Sequence, residues 1–521
     1  MIDIQKEIHS KYPNLKNNKL INASLSKFAK TVIHEKTIND FLEEHEHLKG
    51  FEFIDAVLEY FNFDFLISDN ELENIPTSGR VVIIANHPLG SLDAFVLLKL
   101  IGRVRPDVKI VANDFLAEFK SIESLLITIN NFKNTQTKES IHKMYSHLED
   151  EGALIIFPAG EVSRMTPVGV RDGRWQKGFL KIATRTNSPI LPIYVGAKNS
   201  KTFYSVSTLN KKISTLLLSH EMFKQRNKSI KINIGELIPS TNIHPPSLQT
   251  AGVIELYRQH IYQLKKGRSL FKTQKAIAHP EDTKQIKKEL KNAELLGSTK
   301  DGKSIYLYSN TEESIILKEI GRLREVAFRK VGEGANERRD LDKYDKYYKH
   351  IVLWDDNDLE IVGSYRIGEC KEIIQSFGID GLYNSTLFEF SGEFLEMLPD
   401  AIELGRSFVQ PKYWGTRALD YLWYGIGAYL HKNPQIKYMF GPVSLSASYS
   451  PMSKDIIFNF FDNYFGDNTD LVKAKSPYNF KTDKTLLRVL NNELVKNDYK
   501  QDFKAIKKFL KNFDSSIPVL Y

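Results

Sequence analysis

The sequence predicts an α/β protein of two domains, and three observations lead to this fold class. The chain has 521 residues, which is more than a single hydrophobic core usually serves. Apolar runs alternate with amphipathic stretches over residues 80–236 and again over residues 304–368, as strands and helices of α/β sheets do. Between these regions, residues 264–284 are polar and basic. We therefore place a domain boundary after residue 275.

Strands are predicted where an apolar run ends at turn-forming residues. The runs lie at residues 81–85, 108–113, 153–158, 188–195, 229–237, 304–309, 350–355 and 361–368. The beginning of the chain differs, because FIDAVLEYFNF has the apolar spacing of a helix face. Three parts result: a helical N-terminal segment (1–75), a first α/β domain (76–275) and a second α/β domain (276–521).

Composition limits the class of protein and of partner. Hydrophobic residues make up 42% and charged residues 26% of the chain, as in globular proteins. Cys370 is the only cysteine, which fits a reducing compartment. The start lacks the apolar core of a signal peptide, and no apolar run has membrane-spanning length, so we expect a cytoplasmic protein. A formal charge of +8 favours an acidic partner: anionic lipid, an acidic carrier protein or nucleic acid.

The stretch NHPLGSLD places His87 after the first predicted strand and Asp93 six positions later. On one continuous helix these side chains would lie roughly 120° apart around the axis. Pro88 and Gly90 favour a turn instead, after which a helix can begin. A strand, a turn and a helix in this order can bring imidazole and carboxylate together as an acid/base dyad. The alternative is a hydrogen-bonded surface histidine beside a turn.

A second polar turn, FPAGEVSR, follows the predicted strand at residues 153–158. It presents Glu161, Ser163 and Arg164 at the carboxyl edge of the sheet, where ligands bind in open α/β folds. Lys177 adds positive charge before a predicted helix. These four side chains are candidate substrate-binding residues of the first domain.

The blocks NHPLGSLD, FPAGEVSR, KGF and SPILPIYV stand in the order of the motifs of the glycerolipid acyltransferase superfamily. Residues 75–240 resemble that family. The resemblance implies that His87 is the general base that removes a proton from an acceptor hydroxyl. Asp93 would orient His87, and the hydroxyl oxygen would attack the acyl thioester directly.

Two departures from the family pattern bear on the acceptor. Five residues separate His87 from Asp93 where the family has four, and Ala159 and Val162 stand where the family has glutamate and commonly arginine. The family links those two positions to the acceptor's phosphate, so their loss argues against lysophosphatidic acid. Both departures resemble the subgroup that acylates phosphate-free lyso-aminolipids.

Residues 207–228 offer a candidate membrane contact. Leu209, Ile213, Leu216 and Leu217 have helical spacing and are flanked by lysines and an arginine. One interpretation is an amphipathic helix that lies on an anionic membrane. The other is a helix that packs on the sheet with its basic residues in solvent. The sequence leaves both open.

The second domain carries its own candidate site over residues 401–430. A predicted strand leads through a loop with Gly415 into a helix, which suits the phosphate of a pantetheine arm. Glu403 and Arg406 lie three positions apart, so on a regular strand they face opposite ways unless a bulge intervenes. Upstream, RDLDKYD contributes further candidates: Arg339, Asp342 and Asp345. A structural ion pair or edge charges are the alternative explanation.

The blocks LREVAFR, RDLDKYD, IVGSYRIG, ELGRSFVQPKYWG and GPVSLSASYS resemble the N-acyltransferase relatives of acyl-homoserine-lactone synthases, within the GNAT fold. Gly415 stands alone where that family has a glycine pair. The resemblance implies transfer of a 3-hydroxyacyl group from acyl carrier protein to the α-amine of an amino acid, without a cofactor. Glu403 would assist amine deprotonation, directly or through water, and Arg406 would bind a carboxylate or a phosphate.

The order of the two halves resembles the bifunctional ornithine lipid synthases, which implies synthesis of a two-tailed, phosphorus-free aminolipid. We therefore expect a peripheral protein on the inner face of the cytoplasmic membrane that uses acyl carrier protein thioesters, amino acid and lyso-aminolipid, and that binds neither metal nor nucleic acid. The nearest alternative is the same double acylation of glycine. A non-catalytic, haemolysin-like membrane-binding protein is the alternative of another class.

Overall fold

A computed structural model describes residues 34–112, 119–129, 134–209, 217–310, 314–466, 469–483 and 498–513, with 214, 485, 488, 492, 494–495 and 515–518. The chain divides into two compact units, Met1–Ile277 and Ala278–Tyr521. This division falls beside the boundary placed after residue 275. The assignment of one activity to each unit stays a prediction.

In the described part of the first unit, helices and strands follow one another along the chain. They are α1 (Glu35–Glu44), α2 (Gly50–Tyr60), β1 (Asp64–Leu66), α3 (Asp69–Leu72), β2 (Val81–Ala85), α4 (Ser91–Gly102), β3 (Lys109–Ala112), β4 (Leu126–Thr128), α5 (Asn134–Glu149), β5 (Ala153–Ile156), β6 (Arg164–Thr166), β7 (Gly169–Arg171), α6 (Gly178–Arg185), β8 (Ile190–Gly196), α7 (Lys201–Leu209), α8 (Leu218–Phe223), β9 (Ser229–Ile234) and α9 (Thr250–Leu264).

Seven of these strands form one sheet in the order β1-β9-β8-β2-β5-β3-β4. Neighbouring strands run parallel except β8 and β9, which are antiparallel. Every residue of β2 is buried: Val81, Ile83 and Ala85 pack in the core on one face, and Val82 and Ile84 in the core on the other. Burial on both faces explains why β2 is a continuous apolar run.

The N-terminal segment predicted to be helical contains α1, α2 and α3, and it also supplies β1, which pairs with β9 at the edge of the sheet. Phe53, Ile54 and Val57 of α2 pack into the core on the same face as Val81. The described residues before position 76 are therefore continuous with the first unit's core.

The second unit also contains both strands and helices. Its described strands are β10 (Glu294–Ser298), β11 (Lys303–Ser309), β12 (Lys349–Asp355), β13 (Glu360–Glu369), β14 (Phe388–Phe390), β15 (Ala401–Val409), β16 (Tyr438–Phe440) and β17 (Val472–Ala474). Its described helices are α10 (Thr283–Leu290), α11 (Ile315–Lys330), α12 (Cys370–Phe377), α13 (Gly392–Met397), α14 (Ala418–Lys432), α15 (Pro451–Phe465) and α16 (Tyr499–Lys511). Six strands form a sheet in the order β10-β11-β12-β13-β15-β16. Side chains of α14 cover one face, and those of α10 and α11 cover the other. The predicted mixed α/β class is confirmed for both units.

One strand pair of this sheet is parallel, and it is short. Residues 401–403 of β15 pair with residues 438–440 of β16, whereas β15 continues to Val409. Directly after the pairing, a side chain at Gly441 would meet the carbonyl oxygen of Leu404. Only glycine therefore fits at position 441, where the backbone of β15 lies too near for a side chain.

The segment 207–228 does not form the single helix that its leucine spacing suggested. The helix α7 ends at Leu209, which is 88% exposed, and Leu217 lies in a turn and packs against a cluster that includes Val162 and Phe203. Ile213 and Leu216 lie outside the described residues. Across the ranges that the structure describes, no helix has both the length and the apolar character needed to cross a bilayer.

Candidate active sites

The predicted turn between β2 and α4 places His87 beside Asp93. The helix α4 begins at Ser91, and Gly90 before it has a φ of 95°, a left-handed conformation that favours glycine. The Nδ1 atom of His87 lies 3.1 Å from Oδ1 of Asp93. The sequence pattern thus brought together two side chains that a continuous helix would have kept apart.

The local structure fixes the carboxylate and leaves the imidazole accessible. Asp93 is fully buried, and its oxygens accept hydrogen bonds from the backbone N–H groups of Leu89 (2.8 Å) and Ala94 (3.1 Å). The imidazole of His87 stacks on Phe157 at 4.0 Å between ring centres. Because the His87 side chain keeps 17% of its surface exposed, a substrate can reach the histidine and not the aspartate.

A second buried carboxylate, Asp172, supports the same histidine. Its Oδ1 accepts the backbone N–H of His87 at 3.2 Å and the hydroxyl of Ser163 at 2.5 Å. Its Oδ2 accepts the indole N–H of Trp175 at 3.0 Å, and its own N–H donates to the Tyr262 hydroxyl at 2.7 Å. Ser163 closes the arrangement, since its N–H donates to the carbonyl oxygen of His87 at 2.7 Å.

The two carboxylates at this site raise the pKa of His87. Burial lowers the pKa of His87, but the charge and hydrogen bonding of Asp93 and the charge of Asp172 outweigh it and raise the pKa above the ordinary value. Burial raises the pKa of Asp172, against the hydrogen bonds from Ser163, His87 and Trp175. The imidazolium that forms when His87 takes a proton is therefore stabilised by two carboxylates.

The other predicted residues of this turn have different surroundings. Ser163 contacts His87 directly, and Glu161 is half-buried in the same turn and acts electrostatically on Arg164. The guanidinium of Arg164 donates to Ser207 and Ser214 and lies over the Phe203 ring. Lys177 is exposed at the start of α6. Substrate binding by Glu161, Arg164 and Lys177 stays a prediction.

In the second unit, a β-bulge in β15 places the side chain of Arg406 on the same face of the strand as that of Glu403. Between the pairs Ser364–Phe408 and Arg366–Gly405 the register shifts, so Arg406 and Ser407 oppose one residue of β13. Arg406 has a φ of 48°, which is unusual for a side chain other than glycine. Both Glu403 and Arg406 contact Tyr383: its N–H donates to Glu403 at 3.0 Å, and the Arg406 guanidinium lies over its ring. The bulge that the sequence left open is present.

Three arginines and three aspartates form a cluster beside this bulge. Arg324 donates to both oxygens of Asp345, at 2.9 and 2.7 Å. Arg366 donates to Asp342 at 2.7 Å and to Asp345 at 3.1 Å. The members of this arginine–aspartate cluster are Arg324, Arg366, Arg406, Asp340, Asp342 and Asp345.

Arg406 is the most accessible arginine of the cluster. Its Nη1 donates to Asp340 at 3.3 Å, and its Nη2 lies 3.6 Å from Asp342. Its side chain is 28% exposed, whereas Arg324 and Arg366 are buried. An anion that enters this site can therefore reach Arg406 without displacing the buried pairs.

Glu403 lies buried in a shell of donors. Its Oε1 accepts the backbone N–H and the side-chain amide of Asn384, both at 2.6 Å, and its Oε2 accepts the hydroxyl of Tyr348 and the N–H of Tyr383. Burial raises the pKa of Glu403, although these hydrogen bonds oppose the rise. A raised pKa makes the carboxylate a stronger base than an exposed glutamate.

Neighbouring charges also set the protonation of the cluster. Burial alone would raise the pKa of Asp345, but hydrogen bonding and charge from Arg324, with the charge of Arg366, hold it well below its usual range. Burial lowers the pKa of His350 to about 3, so this histidine is neutral near pH 7. Asp345 is therefore the ionised partner of the buried arginines.

Two predicted residues of the second site lie apart from these contacts. Arg339 donates to Glu281 at 2.7 Å, so its partner is not one of the cluster aspartates. Gly415 has a φ of 78° in the turn before α14, a conformation suited to glycine. A phosphate-binding role for this turn stays a prediction.

Comparison with known proteins agrees with the two-part organisation. The model of an acyltransferase family, described as "Acyltransferase", matches residues 8–270, half of the chain. The chain belongs to this acyltransferase family. Residues 323–424 match an acetyltransferase (GNAT) domain. This acyltransferase therefore joins an N-terminal acyltransferase domain to a C-terminal GNAT-like domain, as the motif blocks predicted.

Three relatives illustrate the similarity of this acyltransferase to named enzymes. It is 36% identical to glycine N(alpha)-acyltransferase of Phocaeicola vulgatus over 253 residues, 45% of this chain and 77% of that protein. It is 30% identical to lyso-glycine lipid O-acyltransferase of Bacteroides thetaiotaomicron over 246 residues, 46% of this chain and 89% of that protein. Over 127 residues, 23% of this chain and 43% of the relative, it is 32% identical to L-ornithine N(alpha)-acyltransferase of Brucella abortus.

Four charged residues that the structure places at the sites of this acyltransferase were not predicted from the sequence: Asp172, Arg324, Asp340 and Arg366. Asp172 lies in VRDGR, outside the motif blocks, and Arg324 and Asp340 stand inside the blocks LREVAFR and RDLDKYD without a feature that singled them out. Arg366 carried a usable signal, because it interrupts the apolar strand IVGSYRIG, and a charge inside a buried strand requires a partner.

Proposed function

We propose that the chain is a bifunctional aminolipid synthase. The second unit would attach a 3-hydroxyacyl group to the α-amine of an amino acid, and the first unit would then acylate the new hydroxyl. The observation that carries the proposal is the His87–Asp93 contact of 3.1 Å in a chain that also has a GNAT-like domain. Relatives named for the N-acylation and the O-acylation of one aminolipid both match this chain.

For the O-acylation, His87 would remove the proton of the 3-hydroxyl while the hydroxyl oxygen attacks the thioester carbonyl. A carbon–oxygen bond forms and the carbon–sulfur bond breaks, and the proton passes from the imidazolium to the departing thiolate. Asp93 and Asp172 would stabilise the imidazolium in between. Because the hydroxyl oxygen attacks the thioester carbonyl directly and His87 only carries the proton, this route has no acyl-enzyme.

For the N-acylation, we propose that Arg406 binds the carboxylate of the amino acid and that Glu403 assists removal of a proton from its ammonium. Arg406 is the accessible arginine of the cluster, and the raised pKa of Glu403 suits a base. The free amine would attack the thioester carbonyl, forming the amide and releasing the thiol. The parallel pair of β15 and β16 ends beside Glu403, at one end of this region.

For the head group, we place glycine ahead of the ornithine favoured by the motif order. The glycine and lyso-glycine lipid relatives match over longer regions, and the glycine N-acyltransferase has the higher identity. Among the described residues of the arginine–aspartate cluster, each aspartate already faces an arginine, which suits an amino acid without a second ammonium. Ornithine is the second candidate because an ornithine N-acyltransferase also matches.

The donor for both steps would be an acyl carrier protein thioester. The chain has a net charge of +8, and a basic surface attracts acidic carrier proteins. Acyl-coenzyme A is the alternative thioester. Initial rates with each donor at equal concentration distinguish them, and a preference for the coenzyme A thioester would contradict this part of the proposal.

Expression of the chain in a bacterial host without aminolipids tests the proposal. Cells that make the wild-type chain should accumulate a diacylated aminolipid, whereas cells with His87→Ala should accumulate its N-(3-hydroxyacyl) precursor, because the loss of a general base costs about 100-fold to 10,000-fold in rate. Mass spectrometry of total lipids with labelled glycine or labelled ornithine identifies the head group.

A matched control separates loss of the base from loss of folding. Lys143→Ala alters an exposed residue of α5 in the same unit, and it should leave the diacylated lipid at the wild-type level at equal protein level. Absence of any new lipid from well-expressed wild type would contradict the synthase. Equal lipid profiles from wild type and His87→Ala would contradict the role of the histidine.

A further inference from the structure

The base of a short β-hairpin in the first unit lies beside His87. The strands β6 and β7 form the hairpin, and its base is closed by the hydrogen bond between Ser163 and Asp172. Both base residues also bond to the backbone of His87. Whatever the hairpin tip contacts is thus connected to the reacting histidine through two hydrogen-bonded residues.

The tip of this hairpin is apolar and exposed. Val168 is 70% exposed, and Met165 and Pro167 are also exposed. The neighbouring helix α7 is held to the hairpin by the bond from Arg164 to Ser207, and it ends at the exposed Leu209. Exposed apolar side chains that are grouped beside an active site indicate a contact surface, whereas a single exposed apolar side chain elsewhere is ordinary.

Basic residues are frequent in the stretch of chain that contains the hairpin. Residues 161–185 contain six arginines and lysines but only two acids, Glu161 and Asp172, and Asp172 is buried. Arg174 and Lys177 are exposed. An exposed apolar tip in a basic stretch of chain fits the interface of an anionic bilayer, where apolar side chains enter the acyl region and exposed cations such as Arg174 and Lys177 face lipid headgroups.

We propose that the tip of the 164–171 hairpin inserts into an anionic lipid surface and holds His87 at the level of the membrane. The inference rests on the proposed function in one respect: a lyso-aminolipid with one long chain resides in the bilayer, so its hydroxyl must be met there. The hairpin would set the depth at which that hydroxyl reaches the imidazole.

A fluorescent label at the tip tests the insertion in the full-length chain. The single native cysteine, Cys370, is buried, so an environment-sensitive dye reacts at Val168→Cys. Vesicles of phosphatidylglycerol and phosphatidylethanolamine should shift its emission to the blue and increase its intensity. The matched control is Leu295→Cys, at a residue 55% exposed in the second unit, whose emission should stay unchanged. An unchanged signal at Val168, or equal changes at both sites, would overturn the proposal.

Vesicle sedimentation gives a second, quantitative measurement. Met165→Asp combined with Val168→Asp should weaken binding to these vesicles about tenfold or more, because two apolar side chains no longer enter the lipid. The control Leu295→Asp should bind as wild type does. Equal binding of the double variant and wild type would contradict the insertion, as would loss of affinity for acyl carrier protein with unchanged vesicle binding.

The vesicle experiments need no acyl donor, so they report on the hairpin whether or not the chain makes an aminolipid. His87→Ala should bind vesicles as wild type does. If the wild-type chain binds vesicles through the hairpin but produces no lipid, the proposed function fails and the membrane contact stands. If lipid is produced but the hairpin variants bind normally, the membrane contact fails alone.

Discussion

Asp172 connects residues that are far apart in sequence to the backbone of His87. It lies 85 positions after His87 and accepts hydrogen bonds from His87, Ser163 and Trp175. One carboxylate thus fixes the turn that carries the histidine and contributes the charge that helps to raise its pKa. We expect these two effects to be separable by substitution.

The substitution Asp172→Asn should slow O-acylation and change its pH dependence. The neutral amide no longer raises the pKa of His87, so the histidine stays an unprotonated base to lower pH, and the acidic limb of the rate profile moves to lower pH. In this variant the side-chain NH2 group also faces another hydrogen-bond donor, which should lower the free energy of unfolding by about 1–3 kcal/mol. The rate of O-acylation of supplied lyso-lipid, measured against pH, gives both effects.

The matched control for this prediction is Ser163→Ala. It removes a hydrogen bond to Asp172 but leaves the carboxylate charge beside His87. Its rate should fall without displacement of the acidic limb. If the acidic limb of the rate profile lies at the wild-type pH in both variants, the charge of Asp172 does not act on the histidine.

Contacts within a short turn follow from the local sequence, whereas contacts between distant turns depend on the whole fold. His87 and Asp93 are separated by a short turn, so Pro88 and Gly90 indicated that the two side chains could approach, and the family resemblance of the motif blocks then favoured the dyad over a surface histidine. The partners of Asp172 come from separate turns and from Tyr262 on α9. No spacing in the sequence indicates that these groups meet.

At the element scale, the bulge in β15 decides which residues share a face. It requires the left-handed backbone at Arg406, which costs about 1–2 kcal/mol for most side chains but less for asparagine. The sequence could state only that Glu403 and Arg406 face opposite ways without a bulge. Strand register is a tertiary property, and a single extra residue reverses the side on which a side chain lies.

Two substitutions at Arg406 separate backbone strain from charge. Arg406→Asn and Arg406→Val both remove the guanidinium that faces Asp340 and Asp342, so both should lose N-acylation. The valine variant should be less stable than the asparagine variant by about 1 kcal/mol, because a β-branched side chain tolerates the left-handed region poorly. Denaturant unfolding and N-acylation rates measure the two effects.

Equal stability of these two variants would show that the backbone relaxes to a regular strand. Retention of N-acylation in either variant would remove Arg406 from the proposed carboxylate site. Arg339→Asn is a suitable control, because Arg339 pairs with Glu281 outside the arginine–aspartate cluster.

The main strands were predictable because each is an apolar run between turn residues, and the structure contains a strand in every predicted run. The edge strand β1 and the hairpin of β6 and β7 were not predicted. They have three residues each, and their burial patterns have no apolar face long enough to detect. The break between α7 and α8 was missed for the opposite reason, since regular leucine spacing favoured one continuous helix.

At the scale of the whole molecule, two catalytic units in one chain should be separable by activity. Glu403→Gln alters a buried residue of the second unit, where the new NH2 group would face either the N–H of Tyr383 or the two donors of Asn384, at a cost of about 1–3 kcal/mol in stability. N-acylation should be lost, whereas O-acylation of supplied lyso-aminolipid should be unchanged. Separate assays of the two reactions on one purified preparation measure this.

The reciprocal control is His87→Ala, which should retain N-acylation and lose O-acylation. If Glu403→Gln lowers both rates equally, the two units do not act independently. If it lowers neither, Glu403 serves the fold alone, as the hydrogen bonds to Tyr348 and Asn384 would permit.

The closed base of the hairpin has a practical consequence for protein engineering. Since the bond between Ser163 and Asp172 fixes both ends of the hairpin, the length of chain between them is free to vary while the histidine keeps its neighbours. A peptide tag spliced at the exposed Pro167–Val168 bond should leave the reacting groups in register. The hairpin is thus a site at which a peptide tag can be inserted to attach the enzyme to a chosen solid support.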